Sequence, residues 1–94
     1  MERCIARLEG SELTETDDAS YGGFAFASGM AAIGTLLELL NTGDHVVAMD
    51  DLYGGTHRLF SKVRERSAGL QFSHVDLTDS NALEDAIQEN TKLI

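Results

Sequence analysis

The chain has 94 residues with 16 acidic and 7 basic side chains, a net charge of -9, one Cys, no Trp and no Pro. That length allows at most one small domain, the apolar content of 43% argues against disorder, and a single Cys excludes an internal disulfide framework. The excess negative charge argues against nucleic acid as a partner, and no apolar run approaches the roughly 20 residues that a membrane span needs.

The charge is localised. No Lys or Arg occurs between Arg7 and Arg58, and that stretch carries Glu9, Glu12, Glu15, Asp17, Asp18, Glu38, Asp44, Asp50 and Asp51. The ordinary reading is a solvated acidic surface; a salt-adapted proteome is the sharper alternative. Met1-Glu2-Arg3-Cys4 is not followed by the apolar stretch of a signal peptide, so a cytoplasmic, reduced protein is expected.

In chain order, Met1, Cys4, Ile5 and Leu8 recur at helical spacing, which predicts the end of a helix with a buried face that includes Cys4. Gly10 is its stop. Ser11 to Ser20 is acidic, rich in Ser and Thr and without period, and reads as a surface loop. Phe24-Ala25-Phe26-Ala27 is a short apolar run that predicts a buried strand. Ser28-Gly29 then opens a helix carrying Met30, Ile33, Leu36, Leu37 and Leu40. His45 to Met49 is the next strand, followed by the loop Asp50-Asp51-Leu52-Tyr53-Gly54-Gly55. A helix from near Thr56 uses Leu59, Phe60 and Val63 and stops at Gly69. Leu70 to Val75 is a third strand, and Asp79 or Asn81 caps a last helix that buries Leu83, Ala86 and Ile87. Lys92-Leu93-Ile94 starts a strand that has no crossover and no partner. Alternating strands and helices predict an α/β fold with a parallel sheet. Met1 inside a helix and Ile94 inside a strand suggest a piece of a longer protein.

Two places could hold chemistry. The strand–Ser28–Gly29–helix junction exposes backbone N–H groups at the positive end of a helix dipole, which suits a phosphate; an ordinary Ser cap with a Gly turn is the alternative. The pattern is neither G-x-G-x-x-G nor G-x-S-x-G. The Asp50–Thr56 loop follows a strand and so lies at the carboxyl edge, where open α/β sheets bind ligands. Tyr53 offers a ring for stacking and a hydroxyl for proton transfer. Arg58 could hold a substrate carboxylate, or pair with Asp50 or Asp51. His45, His57 and His74 lack metal-ligand spacing, and no metal site is expected; His45 and His74 read as packed or surface residues, and His57 as near the site without a required role. Lys62 and Lys92 do not suit imine formation.

Three blocks carry a resemblance. Glu2-Arg3-Cys4-Ile5-Ala6-Arg7-Leu8-Glu9-Gly10, Ala25-Phe26-Ala27-Ser28-Gly29-Met30-Ala31-Ala32, and Asp50-Asp51-Leu52-Tyr53-Gly54-Gly55-Thr56-His57-Arg58-Leu59-Phe60 resemble the Cys/Met-metabolism family of pyridoxal-phosphate enzymes, such as cystathionine γ-lyase and cystathionine γ-synthase. The resemblance implies that residues 1–94 are part of the large domain of a fold-type I enzyme, a three-layer α/β/α structure with a mostly parallel sheet. It implies pyridoxal 5'-phosphate as cofactor, an amino-acid substrate and a homotetramer. It implies that Ser28, Gly29 and Met30 bind the cofactor phosphate, that Tyr53 stacks on the pyridine ring and takes part in proton transfer, and that Arg58 contacts substrate. The cofactor-binding lysine would lie beyond Ile94. The implied reaction cleaves the Cγ–S bond of cystathionine in transsulfuration; γ-replacement on O-acyl homoserine, methionine γ-lyase activity and a non-catalytic phosphate-binding module are the alternatives. Residues 11–23 depart from the family pattern as an acidic surface insertion. The isolated chain is expected to be inactive and prone to aggregation, because its first strand would lack its neighbours.

Overall fold

In a computed structural model, residues 1–10 and 22–94 are described; most of the expected insertion, residues 11–21, falls outside them. The chain divides into two units, Met1–Ala32 and Ile33–Ile94.

The first unit is built on helix α1, Glu2–Gly10. Its apolar stripe is not a core: Ile5 and Leu8 are 49% and 72% exposed, and Cys4, expected inside, is exposed. The periodicity gave the helix correctly, but a stripe needs a facing surface to be buried, and a pattern along one element cannot supply it. Segment 22–27 packs on α1 without becoming a strand. The Ala25 N–H donates to the Glu2 carboxylate at 2.6 Å, and Gly23 comes so close that a Cβ there would lie 2.7 Å from the Glu2 carbonyl oxygen. The expected strand over Phe24–Ala27 is therefore corrected. A strand exists only through a ladder with a neighbour; among the described residues none pairs with it, and Phe24 stays 84% exposed.

Helix α2, Gly29–Leu37, opens in the first unit and closes in the second. The second unit holds a three-stranded sheet in the order β2-β1-β3, with β1 His45–Met49, β2 Gln71–Val75 and β3 Thr91–Leu93. Both pairings are parallel, with Val46 opposite Phe72 and His45 opposite Thr91. The expectation that the final strand has no partner is corrected: β3 pairs with β1, on the far side of it from β2. Four successive residues of β1 are buried, as expected of a central parallel strand covered on both faces.

Between β1 and β2 the chain forms one continuous coil: α3, Gly54–Arg58, a wider π-helical stretch, Leu59–Arg64, and the short α4, Glu65–Ser67. Gly69 ends it in the left-handed region at φ 65°, where an L side chain is strained. Helix α5, Ser80–Ala86, is capped by Asp79, whose carboxylate accepts from the Asn81 and Ala82 amides; the expected burial of Leu83, Ala86 and Ile87 is corrected, since none of the helix residues is buried and Ile87 ends the helix half exposed. Leu37, Val46, Ala48, Phe60 and Leu70 form the core, with Ile33, Leu40, Leu52 and Phe72 packed around it. Phe60 stacks on Phe72 at 4.5 Å between ring centres, so the coil is locked to β2 by an aromatic pair. No helix of the described residues is long and apolar enough to cross a membrane.

Candidate functional site

Parallel strands end on the same side, and the β1 and β2 carboxyl ends stand side by side: the Asp50 N–H donates to the Val75 carbonyl at 3.0 Å. This is the edge where crossover loops of open α/β sheets gather ligands. Leu52 anchors the loop by packing against the core, while Asp50, Asp51 and Tyr53 face outward. Tyr53 takes an extended conformation immediately before α3. Its carbonyl accepts the His57 N–H at 3.0 Å, so the backbone is fixed by the helix while the side chain is 78% exposed. An ideal Cβ on Gly54 would meet nothing within 4 Å. Arg58 is exposed at the end of α3. Among the described residues it makes no ion pair with Asp50 or Asp51, so its guanidinium is not spent on the loop.

The Ser28–Gly29 bend lies in the first unit. The Ser28 hydroxyl accepts the Ala31 N–H at 3.1 Å, and its carbonyl accepts the Ala32 N–H at 3.1 Å. The cap expected of Ser28 is therefore present, and it occupies the third and fourth amides of α2. The Gly29 and Met30 amides come before them in the turn. Gly29 is exposed, and a Cβ there would meet nothing within 4 Å. A helix start of this kind, without side-chain bulk and without a nearby carboxylate on its first turn, fits a phosphate group. The exposed Tyr53 ring fits a flat aromatic group. Taken unit by unit, the helix start suits a phosphate and the Tyr53 ring suits a pyridine, the two kinds of group that pyridoxal phosphate carries.

Two histidines gain roles that composition did not suggest. His45 is 1% exposed. Its Nδ1 lies 2.7 Å from Thr91 Oγ1 and its Nε2 2.8 Å from Ser73 Oγ, so one imidazole links all three strands at the amino edge, opposite the candidate site. His74 packs against His57 with ring centres 5.3 Å apart. The signal was present as spacing: Phe72 and His74 share one face of β2, and His57 and Phe60 are three apart on the coil. Among the described residues, no group of three or more His, Cys, Asp or Glu could hold a metal ion.

The model of the Cys/Met metabolism PLP-dependent enzyme family matches residues 1–94. The chain is 56% identical over 93 residues to a cystathionine beta-lyase of Coxiella burnetii, covering 99% of this chain and 22% of the relative. It is 43% identical over 94 residues to a cystathionine gamma-lyase of Bacillus subtilis, covering all of this chain and 22% of that protein. The crystal structure of cystathionine gamma-lyase from Lactobacillus plantarum complexed with L-serine superposes with a TM-score of 0.73 at 46% identity, over 78% of this chain and 19% of that one. The chain thus spans about a fifth of the length of the curated relatives it matches.

Proposed function

The chain belongs to the Cys/Met metabolism family of PLP-dependent enzymes, and on that premise we propose that it is the cofactor-binding part of a carbon–sulfur lyase acting on cystathionine. The observation that carries this reading is the open start of α2: a capped, exposed turn with glycine where an anion would approach. The Gly29 and Met30 amides hold the cofactor phosphate, and Ser28 keeps that turn in shape through its bond to Ala31. Tyr53 covers one face of the cofactor ring, and its phenol Oη is placed to hold or move a proton. Arg58 holds the substrate carboxylate through paired N–H donors. When bound, pyridoxal phosphate supplies an electron sink for carbanion chemistry; these side chains supply grip, orientation and a proton carrier. The cofactor-binding lysine belongs to the remainder of a cytoplasmic, homotetrameric protein, and the 94 residues alone are inactive.

Cleavage at Cγ–S is the first reading, supported by the similarity to proteins named cystathionine gamma-lyase. Cleavage at Cβ–S is the second reading, favoured by the 56% identity to a β-lyase. The whole protein incubated with cystathionine decides between them: cysteine with 2-oxobutanoate marks the first, homocysteine with pyruvate the second. Turnover of O-acyl homoserine with cysteine and no cleavage of cystathionine would overturn both.

A further inference from the structure

His74 presents a discrepancy. Its Nε2 is buried and has no hydrogen-bond partner, a state that destabilises the fold when nothing compensates. The ring is held between two others: His57 at 5.3 Å, tilted by 42°, and Phe60 at 6.5 Å. Two imidazoles joined by an N–H···N bond have ring centres roughly 5 Å apart, because a donor–acceptor distance of about 3 Å adds to the two ring radii. The observed 5.3 Å leaves room for such a bond, and His57 is exposed, so its ring is not packed against turning. The His57 backbone is tied in both directions. Its N–H donates to the Tyr53 carbonyl at 3.0 Å, and its carbonyl accepts from Ser61 Oγ at 2.9 Å. Whatever fixes His57 fixes Tyr53 behind it and Arg58 beside it.

We propose that His57 is a positioning residue: its imidazole donates to His74 Nε2, and this bond ties the first turn of α3 to β2, setting where Tyr53 and Arg58 stand at the carboxyl edge. The role for Arg58 rests on the function proposed above. The bond works through its neighbours and leaves the chemistry to them, so its loss should appear in substrate binding more than in turnover.

The test uses the whole cofactor-loaded protein. A crystal structure should show a His57–His74 nitrogen separation of about 2.7–3.2 Å; His74 Nε2 bonded instead to water or to another group overturns the pairing. His57→Phe keeps a ring but no donor, and should raise KM for cystathionine about fivefold, the worth of one neutral hydrogen bond, with kcat within about twofold. His57→Gln, which retains a donor, should recover most of that loss. His74→Phe should match His57→Phe, and the double variant should lose no more than either alone; additive losses would overturn the proposal. A protein that does not act on cystathionine ends the functional reading instead. The crystal structure of His57→Phe then decides the positioning role, which stands if Tyr53 and Arg58 are displaced and falls if they are unmoved.

Discussion

The two units use apolar residues differently. In Ile33–Ile94 they converge: β1 is buried along four consecutive positions, and Phe60, Leu37 and Leu70 close over it. In Met1–Ala32 they are spread along a helix and an extended segment, and Leu8, Phe24 and Met1 are more than two-thirds exposed. Both stretches carry comparable hydrophobic patterns. The difference is that a sheet gathers side chains from distant positions onto one face, whereas a single helix presents a stripe that a second element must meet. Among the described residues, the first unit is thus held by contacts such as the Ala25 N–H to the Glu2 carboxylate, and the second by a shared core.

The largest expected effect tests that contrast. Phe60→Ala in the whole protein removes a ring that is 6% exposed and stacked on Phe72, and should cost about 3–5 kcal/mol by chemical denaturation. An equal loss from Leu8→Ala would show that the exposed stripe of α1 is packed in the whole protein, and would erase the contrast.

A smaller effect probes the first unit, where chemistry replaces packing. Gly29→Asp places a carboxylate at the start of α2, where it suits the helix dipole and should leave apo-protein stability nearly unchanged. The same charge opposes an incoming phosphate, so cofactor affinity should fall about tenfold or more, read by fluorescence titration. Unaltered affinity would remove the phosphate from this turn.

The smallest effect is electrostatic. Asp76, just after β2, is held below the usual carboxylate range, first by the Thr78 hydroxyl at 2.6 Å and then by the Thr78 N–H at 2.9 Å. A depressed carboxyl favours the folded state above its ordinary pKa, and that contribution is lost as pH falls through the lowered value. Thr78→Ala removes the larger of the two causes. The Asp76 carboxyl should then titrate closer to its ordinary value by NMR, with the change in acid stability confined below about pH 4. An unchanged titration would mean that the amide alone sets it.

Much of the second unit was legible along the chain. His45 to Met49 and Gln71 to Val75 announced themselves as short apolar runs between turn residues, Gly69 as a stop, and Asp79 as a cap. The Ser28 cap and the outward Tyr53 were also legible, because they depend on residues within one turn of each other. These are local properties, and local spacing carries them.

What spacing could not carry is who meets whom. The pattern of Phe24–Ala27 suited a strand, but a strand requires a partner's backbone, and the segment lies instead on α1. The fragmentary Lys92–Ile94 run became part of a strand because β1 offers its second edge to Thr91–Leu93. His45 became the link between three strands, and His57 came to face His74, through contacts 17 to 46 residues apart in sequence. The sequence by itself determined where the chain coils and turns, and which residue caps α2. The tertiary structure alone decided the strand order, the buried histidine and the ring pair behind Tyr53, because long-range pairing is chosen by complementary faces that do not exist until the chain has closed on itself.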